Sequence, residues 1–235
     1  KRVVEFEKKF FETANQNFNH EITYFEARLN VQTASLAREF DCACCFVNDS
    51  LDAETLCLLK CRNFKLISLR SAGFNNVDLK EANRLGLTVV RVPAYSPHAV
   101  AEHAVGLILN VNRKFHKAYN RVRELNFSLD KLVGFDLFNK TVGVIGTGRI
   151  GSVFSKIMLG FGCKVLAYDH KPNPELIDNK NVEYVDLDKL YRLSDVVSLH
   201  VPLIQETHHM IDASAVNVRR RKPLTKERPL NLGVE

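Results

Sequence analysis

The stretch Lys140–Ser152, KTVGVIGTGRIGS, sets three glycines, Gly146, Gly148 and Gly151, directly after an apolar run. Val142–Ile145 reads as a strand and Arg149–Leu159 has helical spacing, so the glycines fall on a turn from strand to helix. In a turn of this kind Gly146 permits the tight bend. Gly148 lets backbone approach a bound anion with no side chain in the way, and Gly151 lets helix and strand pack closely. Free N–H groups and the macrodipole at the helix start favour a phosphate there. The next strand, KVLAYDH, ends in Asp169, where a carboxylate accepts hydrogen bonds from ribose hydroxyls and repels a 2′-phosphate. The pattern predicts a site for NAD rather than NADP, a preference softened by His170 and Lys171. The plain alternative is a Rossmann-like unit that holds no nucleotide.

The rest of the chain fits an α/β arrangement. EITYFEA, DCACCFV, KLISL and LTVVRV are strand-like, while residues 52–61 and 78–85 have helical spacing and Gly86 follows as a helix stop. Ser96 and Pro97, as N-cap and first helical residue, open a long apolar helix running to Leu125. It is apolar at Val100, Ala104, Leu107 and Val111, which predicts one face buried against a domain or a second subunit. After a loop at 126–139 a second series follows in TVGVIG, KVLAYD, VEYV and VVSLHV. Two parallel-sheet domains are expected, at 1–97 and 98–218, with a cleft between them and an atypical basic tail at 219–235.

Composition narrows the class. Hydrophobic residues make up 46% and charged residues 26%, the ordinary globular range, and no apolar run has the ~18 residues of a membrane span. Residues 1–15 carry acids and no cleavage-like site, so a cytoplasmic protein is expected. The six cysteines lack metal-site spacing and read as reduced thiols, with no metal bound. The net charge is +6, but four of the positive charges sit in Arg219–Lys222 without a nucleic-acid motif, so nucleic acid is not an expected partner.

Three further stretches carry a resemblance: LRSAGFNNVDL at 69–79, the segment at 92–124, and VVSLHVPLIQETHHMID at 196–212. With the glycine turn they closely resemble the NAD-dependent D-2-hydroxy-acid dehydrogenases, of the D-lactate dehydrogenase type. The resemblance implies a Rossmann-like doubly wound parallel sheet with a flavodoxin-like substrate domain. It further implies reduction of a small, pyruvate-like 2-keto acid by NADH and a homodimer through the long helix. By the same resemblance the amides at Ala72 and Gly73 hold the substrate carboxylate, and Tyr95 is a hinge tyrosine lining the pocket. Arg149 and Ile150 match the cofactor-contacting pair, and Val201, Pro202 and Thr207 flank adenosine and ribose. On their own, Tyr95 also fits a packed aromatic and Pro202 a strand stop. His98, His103, His116 and the pair His208-His209, set on a later helix, read as surface or interface.

The resemblance runs out near Val218. The family's arginine turn, glutamate and paired histidine would follow, and RRRKPLTKERPLNLGVE does not supply them. The expectation is therefore a truncated chain with an incomplete sheet, no catalytic residue of its own and no turnover. The alternative is a non-catalytic NAD-binding or dimerising fragment.

Overall fold

The computed structural model describes residues 5–60 and 63–220. The basic tail expected from 219 lies outside the residues whose side chains are described, as does Cys61. The described residues fall into two compact units that divide between Tyr95 and Ser96.

In the first unit, α1 (Glu5–Asn15) precedes a parallel sheet built from β1 (Cys42–Cys45), β2 (Leu66–Leu69) and β3 (Thr88–Arg91), in that order. The crossovers are α2 (Ala53–Lys60) and α3 (Leu79–Arg84). Leu51, Leu56, Leu59, Phe64, Ile67 and Leu69 are buried together between helices and sheet. Asp78 caps α3 by accepting from the Glu81 amide at 3.0 Å, and Gly86 leaves the helix at φ 65°. EITYFEA, expected as a strand, forms none. Its aromatic residues pack on rings instead of a ladder: Phe25 meets Phe40 edge-on at 5.7 Å, and Tyr24 lies 6.5 Å from Phe11. Strand propensity records fit to a sheet surface, and these side chains find their surface elsewhere.

The second unit opens with α4 (Pro97–Arg113), where the Ser96 hydroxyl accepts from the Ala99 amide at 3.1 Å. The expected continuous helix breaks at Lys114, which takes the left-handed conformation at φ 55°, and α5 (Phe115–Arg123) follows. The break is held by the side chain itself, since Lys114 Nζ donates to the carbonyls of Lys131 and Val133 at 2.9 and 2.8 Å. Arg121 donates likewise to the Ser128 and Asp130 carbonyls, and Asn112 makes a reciprocal pair with the Phe135 backbone at 2.7 and 2.9 Å. The loop at 126–139 is thereby tied to both helices. The buried stripe of α4 is displaced from the expected one: Ala101 and Val105 are buried, with Ala104 and Ile108 partly so, whereas Leu107 and Val111 stay exposed.

Beyond the loop, β4 (Thr141–Ile145), α6 (Arg149–Gly160), β5 (Lys164–Tyr168), α7 (Pro174–Ile177), β6 (Val182–Tyr184), α8 (Leu187–Leu193) and β7 (Val196–Leu199) alternate, with α9 (Ala213–Arg220) after them. The strands are parallel in the order β6-β5-β4-β7. The unit is thus wound outward in both directions from its first strand, the doubly wound order. Val142, Val144, Phe154, Met158 and Val165 fill one core region, Ile145, Leu166 and Leu190 another. No described helix is long and apolar enough to cross a membrane.

Replacing Asn112 by Ala should remove both bonds to the partly buried Phe135 backbone, at a cost of about 1 kcal/mol. Hydrogen exchange by mass spectrometry would then show faster exchange across 126–139. Unchanged protection there would mean that the loop does not depend on this clamp.

Candidate functional site

The site begins where β4 ends. The order reverses at β4, with β5 on one side and β7 on the other, so the C-terminal end of this strand is the topological switch point at which open α/β sheets take ligands. Gly146 turns the chain there at φ 89°, a conformation that L side chains rarely adopt. A Cβ on Gly146 would stand 2.6 Å from the His200 carbonyl and 2.8 Å from Val201 Cγ1. On Gly151 it would come within 1.8 Å of the Gly146 carbonyl oxygen, so helix and turn touch through bare backbone. Gly148 differs, because nothing lies within 4 Å of a Cβ built on it. It caps α6 without any side-chain acceptor, so no capping side chain takes up the first-turn N–H groups.

Asp169 follows directly on β5. Its Oδ2 accepts from the Thr147 amide at 2.6 Å and from the Thr147 hydroxyl at 3.1 Å, and its Oδ1 accepts from the Lys171 amide at 3.0 Å. Partial burial alone would raise its pKa. The amides of Lys171 and Thr147, the Thr147 hydroxyl and His170 outweigh that and hold the carboxyl below its ordinary value. A depression of about 420 Å³ lies beside it, lined in part by Pro172, Glu183, Tyr184 and Lys189.

Of the other expected residues of this unit, Arg149 and Ile150 open α6 at this turn and Val201 lies against it, while Pro202 and Thr207 follow in the segment beyond β7. Arg149 is exposed at the first position of α6, and Ile150 behind it packs partly on the core. Val201 lies against Gly146 just beyond β7. Pro202 is exposed and Thr207 half-buried, and the Thr207 hydroxyl donates to the Pro202 carbonyl while accepting from the Ile204 amide at 2.9 Å. His208 and His209 lie on a turn rather than a helix, their rings stacked at 3.8 Å, with His209 at φ 58°.

Ala72, Gly73 and Tyr95 belong to the first unit. Ala72 and Gly73 sit in the loop after β2, shaped by Arg91, which donates to the Ala72 carbonyl at 3.0 Å, and by Ser71, which donates to the Gly73 carbonyl at 2.8 Å. Both carbonyls are thus engaged, while among the described residues neither amide has an acceptor. Tyr95 is 69% exposed.

Sequence reasoning passed over four residues here. Thr147 occupies the variable position between two glycines yet is 1% exposed. Tyr184 and Asn173 bond to it from β6 and from the start of α7, with Tyr184 Oη to Thr147 Oγ1 at 3.0 Å and Asn173 Nδ2 to the Thr147 carbonyl at 2.9 Å. His200 packs its ring 4.8 Å from Phe154 and bonds to the Ser198 hydroxyl at 3.0 Å, and burial pushes its pKa down. Nothing in spacing alone marks such residues.

A sheet reversing at β4, a glycine turn that opens onto a helix start and a carboxylate fixed on the neighbouring strand define a Rossmann-type dinucleotide-binding unit. Residues 105–222 match the NAD binding domain of the D-isomer specific 2-hydroxyacid dehydrogenases. The chain is 52% identical over 208 residues to 2-hydroxyacid dehydrogenase homolog 1 of Schizosaccharomyces pombe, covering 88% of this chain and 62% of that protein. It superposes on apo D-lactate dehydrogenase from Escherichia coli with a TM-score of 0.81 at 46% identity, covering 91% of this chain and 67% of that one. For the Aquifex aeolicus D-lactate dehydrogenase complexed with NAD and lactic acid the TM-score is 0.79 at 36% identity, covering 92% and 64%. The chain belongs to the D-isomer specific 2-hydroxyacid dehydrogenase family, and it spans under two-thirds of the length of the curated relatives it matches. NAD is the cofactor of the matched domain, and the residues present fit it: a Cβ built on Gly148 meets open space, and the donors around Asp169 hold its carboxyl below its ordinary pKa.

The glycines should separate on substitution. Gly151→Ala forces helix from turn and should lower stability by roughly 3 kcal/mol. Gly148→Ala meets no atom and should melt close to the parent while binding NADH more weakly. Thermal melts paired with NADH titration check this, and equal melting of the two variants would contradict it.

Proposed function

We propose that this chain carries the NAD cradle and part of the substrate pocket of an oxidoreductase interconverting a small 2-keto acid of pyruvate type and the D-2-hydroxy acid of D-lactate type. The observation that carries the reading is the open Gly148 at the start of α6 beside the fixed Asp169 carboxylate. Identity to D-lactate dehydrogenases, 47% with that of E. coli, supports the substrate class.

In this reading the residues divide the work by chemistry. The N–H groups of the first turn of α6 take the pyrophosphate, with Arg149 and Ile150 beside it. Asp169 accepts from the ribose hydroxyls and repels a 2′-phosphate, and Val201, Pro202 and Thr207 flank the adenosine. The Ala72 and Gly73 amides donate to the substrate carboxylate, and Tyr95 lines the pocket. When bound, NADH supplies the hydride that reduces the keto carbon.

The partner of the proposed assembly is a second copy of the chain. Leu107, Val111, Phe115, Tyr119 and Val122 follow one another along α4 and α5, each more than half exposed, and an apolar stripe of this kind marks an association surface. Cytoplasmic location goes with buried, unreactive thiols such as Cys45, whose pKa burial pushes up.

Two measurements test the reading. Fluorescence titration of the chain should show NADH binding tighter than NADPH, and Asp169→Ala should weaken NADH by roughly 10- to 100-fold, the worth of bonds to a charged acceptor. Indifference to Asp169→Ala would remove the ribose role. Native mass spectrometry should show a dimer that Leu107→Asp with Val111→Asp turns into monomer; a monomeric parent would end the homodimer proposal.

A further inference from the structure

Behind Asp169 runs a short row of hydrogen bonds whose direction is fixed from both ends. The Asn173 amide lies 2.8 Å from the Tyr184 hydroxyl, and an amide N–H can only donate. The Tyr184 oxygen therefore accepts there, which leaves its own proton for Thr147 Oγ1 at 3.0 Å. Thr147 in turn directs its hydroxyl proton to Asp169 Oδ2 at 3.1 Å, and an ionised carboxylate can only accept. Asn173 is itself held, because its Oδ1 caps α7 by accepting from the Glu175 amide at 3.0 Å while its Nδ2 grips the Thr147 carbonyl.

The row decides which carboxylate oxygen is left for a ligand. Oδ2 already takes two donors from Thr147, whereas Oδ1 takes one, from Lys171. We propose that Tyr184 is a positioning residue for the choice of NAD over NADP, acting through Thr147 to keep the Asp169 carboxylate from turning away. This rests on the NAD reading above. A carboxylate free to rotate would lose part of its alignment to the ribose hydroxyls and would also yield to a 2′-phosphate. Loss of the row therefore weakens NADH and narrows the preference together.

Dissociation constants for NADH and NADPH, measured on the full chain by fluorescence titration, test this with a small set of variants. Tyr184→Phe and Thr147→Val should each raise the NADH constant about three- to tenfold, the worth of one hydrogen bond, and narrow the ratio between the two nucleotides. Thr147→Ser keeps the hydroxyl and should stay within about twofold of the parent on both measures. In an Asp169→Ala background Tyr184→Phe should have no further effect, because the group it acts on is gone. An unchanged nucleotide ratio in Tyr184→Phe, or an equal loss with and without Asp169, overturns the proposal. If Tyr184→Phe does not fold, the contrast between valine and serine at Thr147 decides. A parent chain that binds neither nucleotide defeats the NAD reading itself, whereas a parent that binds NADH with an indifferent Tyr184→Phe defeats only the role of Tyr184.

Discussion

The closest constraint in the second unit is the meeting of Gly151 with the Gly146 carbonyl, where not even a methyl group has room. Because α6 lies so near the turn, its first N–H groups open at the end of the central strand rather than beside it. The same approach brings Phe154 and Met158 down onto Val142, Val144 and Val165, so the core and the position of the helix start come from one contact. Helix α4 then packs on the outer face of α6 through Ala101 and Val105, residues small enough to sustain close packing. The sheet order completes the geometry, with β5 bringing Asp169 to one side of the turn and β7 bringing Val201 to the other.

The local rules that were legible in the sequence are those in which one residue type answers one backbone demand. Ser96 before Pro97, Gly86 at positive φ, and Gly146 and Gly151 at the turn all do what their chemistry dictates. The failures share another cause. Lys114 carries no sequence sign of a helix break, because its left-handed backbone is stabilised by carbonyls of the distant 126–139 loop. EITYFEA has the composition of a strand, yet its rings find other partners. The expected stripe of α4 holds at Ala104 and fails at Leu107 and Val111, because apolar residues lie on more than one face and periodicity does not rank faces that are both apolar.

At the site the divide is similar. Glycines and a terminal acid are visible because a dinucleotide demands them at fixed spacing, whereas Thr147, Tyr184 and Asn173 act on that acid from separate elements. Their hydroxyls and amides are ordinary in type and become meaningful only when the fold lines them up. The Asp169 carboxyl is held below its ordinary value despite partial burial, which follows from the donors converging on it rather than from any one neighbour.

The loop at 126–139 carries one more consequence. Lys114 and Arg121 hold carbonyl oxygens in it, and Asn112 holds both backbone groups of Phe135, so what they recognise is the path of the chain and not the identity of its side chains. Such a segment can exchange most of its residues freely over evolution while resisting any change in length. Gly134 and Leu137 are exceptions, since a Cβ on Gly134 would stand 2.5 Å from the Asn112 carbonyl and Leu137 is buried in the core. Apart from these positions the loop behaves as a fixed-length tether whose course is set more tightly than its composition.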